Sequence, residues 1–182
     1  MRTRTRPPAY CIGIDPSLTA TGIAVRNAVS GELTYWTITC GKRTGPERLD
    51  YLDGQFGDIL ARFPYRMVAL EGYSFGNRFT RDHDLGELGG LIKLRLYRLG
   101  LPTLIAPPNS LKLFLTGDGA AKKAKMKKTA EELYGLKCDN DNEADALGLV
   151  HMAEAKLTGR FSRAHQHLAL DGCSVLPVRD AK

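Results

Sequence analysis

The apolar positions of this chain fall into two rhythms. YCIGID, residues 10–15, is an apolar run with little alternation, the pattern of a strand buried on both faces. ATGIAVRN and ELTYWTITC follow as strands joined by a turn containing Ser30 and Gly31, which predicts an antiparallel meander of three strands. RMVALEG, 66–72, and LPTLIAP, 101–107, are two further short apolar runs. Between and after them the period lengthens. In GPERLDYLDGQFGDILARF, apolar residues recur at Leu49, Leu52, Phe56, Ile59 and Leu60, which is helical spacing. TRDHDLGELGGLIKLRLYRLG predicts a second helix, although Gly86, Gly89 and Gly90 lower its propensity; glycines so spaced allow another backbone to come close. PPNSLKLFL is a short helix with prolines at its start. A Gly-rich loop, TGDGAAK, then leads into a lysine-bearing helix, and NEADALGLVHMAEAKL is the last clearly periodic helix.

Three strands followed by alternating helices and strands predict an α/β fold. The expected sheet is mixed and five-stranded, a three-strand antiparallel meander plus two parallel strands, flanked by helices. A chain of 182 residues with 43% hydrophobic content suits one domain. The expected divisions are a basic arm over 1–8, the domain over 9–158 and a tail without periodicity over 159–182. No run approaches the roughly 18 apolar residues of a membrane span, and the basic MRTRTRPPAY start precedes no apolar segment. Cys11, Cys40, Cys138 and Cys173 form no CxxC pair, so neither a disulfide framework nor a zinc site is expected, and reduced cysteines suit the cytoplasm.

Charge changes the picture. The formal net charge of +6 is uneven: KKAKMKK at 122–128 holds five lysines in seven positions, whereas DNDNEAD at 139–145 is acidic. A lysine run alone is commonly a solvated helix face. Beside an acidic cluster it suits phosphate chemistry, with cations for the backbone and carboxylates for metal.

The carboxylates sit in telling places. Asp15 and Glu71 each terminate an apolar strand, and sites in open α/β sheets form at strand carboxyl ends. Each alone is equally a turn cap or a surface ion-pair partner. Together they would repel one another and raise their pKa values unless a cation intervened, and Mg²⁺ prefers oxygen ligands. Asp145 precedes the apolar stripe Ala146, Leu147, Leu149 and Val150. Asn142, three residues earlier, and Asp141, four earlier, share its helix face, while Glu143 points away. Capping explains Asp139 or Asn140 but not Asp145, which lies deeper on the apolar side. Acids on two strand ends and one helix suggest two metal ions about 3.5–4 Å apart, an arrangement that serves phosphodiester hydrolysis.

In this order, GIDPSLTATG, LEGYSFG, LGELGGLIKLRLY, TGDGAAKKAKM and DNEADALGL resemble RuvC-type Holliday junction resolvases, particularly phage-encoded ones, over residues 9 to 157. The resemblance implies a ribonuclease H-like fold, a homodimer, and Mg²⁺- or Mn²⁺-dependent paired nicking of four-way DNA junctions in the cytoplasm, of a host if phage-encoded. It makes Asp15, Glu71 and Asp145 the catalytic acids and metal ligands. Where the family has an acid or histidine one turn before the last acid, this chain has Asn142, whose amide oxygen can ligate metal but adds no charge; Asp141 is the neighbouring substitute. Lys123 and Lys112 match basic positions near the scissile phosphate. Lys122, Lys125, Lys127 and Lys128 then touch DNA backbone. Tyr73 or Phe75 matches an aromatic inserted at the junction centre, where stacking on a base is worth about 1–3 kcal/mol. Symmetric nicks need two sites, which a two-fold dimer supplies; Leu88, Leu91, Leu94 and Leu96 cannot all face one core, so the helix over 84–99 is the expected interface.

Three other readings compete. An actin-like or sugar-kinase-like ATP-binding domain also opens on a strand, an aspartate and a Thr/Gly turn. It needs two lobes, however, and no acid at Asp145, and the GDG loop lacks P-loop spacing, so no nucleotide cofactor is expected. Another ribonuclease H-like nuclease, acting on flaps or RNA–DNA hybrids, shares the same acids. An inactive DNA-binding relative would follow if Asn142 disables the metal site.

Overall fold

Strand β1, Tyr10–Asp15, lies inside a single sheet in the computed structural model, which describes residues 10–72 and 79–179. On one side it pairs antiparallel with β2 (Ala20–Asn27), which pairs antiparallel with β3 (Leu33–Thr39). On the other side it runs parallel to β4 (Tyr65–Glu71), and β4 is parallel to β5 (Thr103–Ala106). The predicted meander and the two parallel strands are thus present. The sheet nevertheless has six strands, because β6 (Ser174–Val175) adds antiparallel to β5 and completes the order β3-β2-β1-β4-β5-β6.

Six helices are described: α1 (Gly45–Arg62), α2 (Phe79–Arg98), α3 (Pro108–Thr116), α4 (Lys123–Tyr134), α5 (Asp141–Thr158) and α6 (Ala164–Asp171). The segment over 159–182, expected to be a tail, carries α6 and β6. Ala169 and Leu170 of α6 join the core beside α3 and α5. An eight-residue helix and a two-residue strand are too short for hydrophobic periodicity to reveal.

The sheet separates two cores, and strand alternation decides which residue faces which. Ile12 and Ile14 of β1, with Val68 and Leu70 of β4, pack with Leu52 and Phe56 of α1 and Leu88, Ile92 and Leu96 of α2. Cys11 of β1, Ala24 of β2, Met67 and Ala69 of β4 and Ala106 of β5 face the other way, against α5 and its neighbours. Successive side chains on a strand point to opposite faces. Asp15 follows Cys11 and Gly13, and Glu71 follows Met67 and Ala69, so both acids are directed to the α5 side.

That side of the sheet is paved with small residues, which lets α5 come unusually close. A Cβ on Gly13 would lie 2.3 Å from the carbonyl oxygen of Ala146 and 2.4 Å from the amide nitrogen of Val150. α5 answers with Ala144, Ala146 and Ala153, all buried. Its bare-backbone contact with β1 brings its first turn directly over the end of that strand.

The glycines of α2 behave otherwise. A Cβ at Gly86 or Gly90 would meet open space among the described residues, so no described backbone comes close at those two positions, whereas Gly89 is buried. Leu88 and Leu96 face the core, whereas Leu94, Tyr97 and Leu99 are exposed. Among the described residues no helix is long and apolar enough to cross a membrane.

Candidate active site

The β1–β2 turn is held by hydroxyl groups. Ser17 N–H donates to Thr21 Oγ1 at 3.2 Å, and the Thr21 hydroxyl returns a bond to Ser17 O at 3.0 Å. Asp15 pairs with Gly22 across β1 and β2. On its other side β1 is in register with β4 up to Ile14 opposite Leu70, so Asp15 and Glu71 are the next step along neighbouring strands, about 4.8 Å apart in backbone spacing. Their carboxyl groups are within hydrogen-bonding reach of one another.

The third acid arrives from above. The N-terminus of α5 is fixed by Asn140, whose Oδ1 accepts from Glu143 N–H at 3.0 Å, and Glu143 Oε2 accepts from Asp139 N–H at 2.8 Å. Asn140 is therefore the cap, and its amide also donates to Thr37 Oγ1 at 2.9 Å. Glu143 is buried towards Thr37 and away from the acids, as its position on the helix predicted. This leaves Asn142 and Asp145 on the face above β1 and β4.

Asp15, Glu71, Asn142 and Asp145 all line one cavity of about 350 Å³, together with Lys112 and Lys123. Lys112 comes from α3 and Lys123 from the first turn of α4. Between them Gly117 ends α3 in the left-handed conformation (φ 76°), which turns the Gly-rich loop back so that both lysines reach the same opening. Of the flanking residues, Pro16, Ser17, Gly72 and Leu85 also line the cavity and were not read from the sequence as part of it.

The electrostatics are those of crowded, dehydrated carboxyl groups. Asp15, only 5% exposed, has its pKa pushed well up by burial first and then by the negative charges of Glu71 and Asp145. Burial likewise raises Glu71, against the pull of its bond with Asp15 and of Lys112 and Lys123. Asp145 is raised to about 7 by burial and by Glu71, with Lys123 opposing. Such a set fits a hard divalent cation, since all its donors are oxygens and a positive charge removes their mutual repulsion. Among the described residues no three His, Cys, Asp or Glu side chains form a ready-made metal-binding group; the three acids share the lining of one cavity.

The structure also separates Asp141 from Asn142. Asn142 lines the cavity, whereas Asp141 Oδ2 lies 3.3 Å from Lys123 Nζ at its rim. Of the remaining lysines, Lys125 pairs with Asp118 at 3.1 Å and Lys128 with Glu132 at 3.7 Å, and both, with Lys122, are exposed on α4 or at its cap. Lys127 is half-buried. Tyr73 and Phe75 lie outside the described residues.

Known proteins resemble this chain along most of its length. The family model for Crossover junction endodeoxyribonuclease RuvC matches residues 11–152. The crossover junction endodeoxyribonuclease RuvC of Chlorobaculum parvum is 30% identical over 159 residues, covering 81% of this chain and 84% of the relative. That of Carboxydothermus hydrogenoformans is 28% identical over 153 residues, covering 81% of this chain and 97% of the relative. Among solved structures, T. thermophilus RuvC in complex with Holliday junction substrate superposes with a TM-score of 0.71 at 21% identity, covering 92% of this chain and 99% of that one. The yeast mitochondrial Holliday junction resolvase gives 0.57 at 11% identity, covering 93% and 83%. At those identities the solved structures speak to the fold. The sequence match, which spans Asp15, Glu71 and Asp145, carries the assignment: the chain belongs to the RuvC family of crossover junction endodeoxyribonucleases.

Proposed function

We propose that this protein resolves four-way DNA junctions by paired phosphodiester hydrolysis, in the cavity at the carboxyl ends of β1 and β4. The observation that carries the reading is the meeting of three carboxyl groups from β1, β4 and α5 in one lysine-rimmed cavity, all with raised pKa values.

Asp15, Glu71 and Asp145, with the amide oxygen of Asn142, are the residues that would hold divalent metal, Mg²⁺ or alternatively Mn²⁺, in a two-ion site. When bound, such ions lower the pKa of water to make a nucleophile and stabilise the leaving oxygen of an in-line displacement. The protein's own groups do the rest. Lys112 and Lys123 hold the scissile phosphate and offset negative charge developing on it. Asp141 keeps the Lys123 ammonium at the rim. Leu85 and Leu111 give the cavity dry walls, which strengthen each charge interaction inside it. Lys122, Lys125, Lys127 and Lys128 extend the cationic track along the DNA backbone, and Tyr73 or Phe75, directly after the Glu71 strand, stacks on bases at the junction centre.

Two symmetric nicks need two such cavities. The exposed Leu94 and Tyr97 of α2 with Leu99 just beyond its end, and the open space beside Gly86 and Gly90, suit a two-fold contact with a second copy. The enzyme then works on branched DNA in the cytoplasm.

The test is to incubate the purified protein and Mg²⁺ with a mobile four-way junction, a Y-flap and an RNA–DNA hybrid, and to map the products. Paired nicks on opposite strands of the junction are expected. Preferential cutting of the flap or the hybrid would replace this reading by that of another ribonuclease H-like nuclease.

A further inference from the structure

A second cavity, about 500 Å³, lies away from the carboxyl cluster. It is bounded by the last turn of α4, the C-terminal half of α5, the 159–163 loop and the first turn of α6, beside Ala28 of the β2–β3 turn. Asp145 of the first cavity and Glu154 of the second are nine residues apart on α5, about 13 Å at 1.5 Å per residue. The two cavities therefore occupy different ends of one helix.

The wall of this second cavity is aromatic. The rings of Tyr134 and His151 stack at 3.8 Å between centroids and 7° between planes, and Phe161 stands at the mouth. His151 Nδ1 lies 2.8 Å from Leu147 O. A carbonyl only accepts, so Nδ1 carries the proton and Nε2 is left as an acceptor. Burial holds the ring neutral by lowering its pKa to about 4.

Polar groups converge on the same space. Gln166 is 5% exposed, and its Oε1 accepts from Ser162 N–H at 2.9 Å, the Ser162 hydroxyl at 3.0 Å and Arg163 N–H at 3.2 Å. Three donors on one atom fix the orientation of the amide and turn its NH₂ the other way. Arg160 and Arg163 are exposed at the mouth, and neither is in an ion pair among the described residues. Glu154, the carboxylate in the lining, is already neutralised by Arg26 at 2.7 Å.

We infer that this cavity binds a nucleotide unit, with the phosphate held by Arg160 and Arg163 and the base against the Tyr134, His151 and Phe161 wall. Guanidinium groups suit phosphate, and aromatic faces take any base. The Gln166 NH₂ and His151 Nε2 supply one donor and one acceptor for polar atoms of the base or sugar. A bare anion would leave the outer face of the Tyr134–His151 pair unused, and a purely apolar ligand would leave two arginines unmatched. The volume falls within the roughly 300–1,000 Å³ usual for small-molecule sites. The unit comes either from a free nucleotide or from a DNA strand leaving the junction. The site itself is independent of the catalytic role given to the other cavity, whereas a junction strand as its source rests on that role.

The full-length protein is titrated calorimetrically with deoxyadenosine 5′-monophosphate and with inorganic phosphate. A labelled five-nucleotide DNA strand is titrated by fluorescence anisotropy. Binding of the mononucleotide or the strand is expected, weakened at least tenfold by Arg160→Ala combined with Arg163→Ala and unchanged by Asp145→Asn. Both arginines are exposed, so the double variant keeps its fold; matching melting curves check this. Tighter binding of the strand that falls in the arginine variant identifies DNA as the source, and tighter binding of the mononucleotide identifies a free ligand. Absence of binding by either probe overturns the inference. So does mononucleotide binding that survives the arginine variant, mononucleotide binding lost with Asp145→Asn, or inorganic phosphate binding as well as the mononucleotide.

Discussion

A Cβ on Gly22 would lie 2.1 Å from the carbonyl oxygen of Asn142. Gly22 is the cross-strand partner of Asp15, so its missing side chain is the space into which the first turn of α5 descends on the acids. Gly22→Ala must push that turn outward, because the obstructing atom belongs to the backbone. Overpacking of this kind costs about 1–3 kcal/mol. Urea unfolding should show that loss, and junction cleavage should fall further than stability alone explains, since Asn142 and Asp145 move together.

The carboxyl cluster makes the metal-free protein pH-sensitive. Folded Asp145 titrates at about 7 against an ordinary value of 3.8, so near neutrality the folded state holds a proton that the unfolded chain has released. Stability then falls as pH rises. The contribution is complete below pH 3.8 and is lost as pH passes about 7; Asp15 and Glu71 act in the same direction. In chelator, the melting temperature should drop between pH 5 and pH 8, by about the same amount at low and high protein concentration. Mg²⁺ should flatten the slope. Asp145→Asn should raise the melting temperature at pH 8 in chelator while lowering cleavage at least about 100-fold, since even groups behind metal ligands matter 10–100-fold.

Asn142 and Asp141 have different surroundings and should fail differently. Asn142 lines the cavity, so Asn142→Ala should raise the Mg²⁺ concentration needed for half-maximal cleavage, and Asn142→Asp should lower it. Asp141 faces Lys123, so Asp141→Ala should leave that midpoint in place and change the single-turnover rate modestly. A magnesium titration of cleavage for each variant separates the two.

The lysines divide in the same way. Lys123→Ala should reduce the single-turnover rate by about 10²–10³-fold, the scale of losing one charge-stabilising donor, with junction affinity changed only a few-fold. Alanine at Lys122, Lys125 and Lys128 should leave that rate alone. Instead it should lower the slope of log affinity against log salt by about 0.9 for each phosphate no longer neutralised. Anisotropy titrations at several salt concentrations measure it.

Asp15 and Glu71 were legible because a charged side chain is out of place at the end of an apolar strand. Asp145 was legible because it lies on the apolar side of its helix. What spacing alone left open was Asp141 against Asn142, four and three residues before Asp145, since both offsets fall on one helical face. Only the position of Lys123, delivered by the Gly117 turn, shows which one faces the cavity. Gly13 and Gly22 read as ordinary strand and turn glycines; their role appears only when α5 lies across β1 and β2. The second cavity draws on residues from Ala28 to Gln166 and has no local signature.

Crystals grown without metal and soaked in Mn²⁺ allow the ions to be located by anomalous scattering. The account predicts peaks inside the cavity, in contact with oxygens of Asp15, Glu71 and Asp145. Ions bound elsewhere, or an empty cavity at Mn²⁺ concentrations that support cleavage, would contradict it.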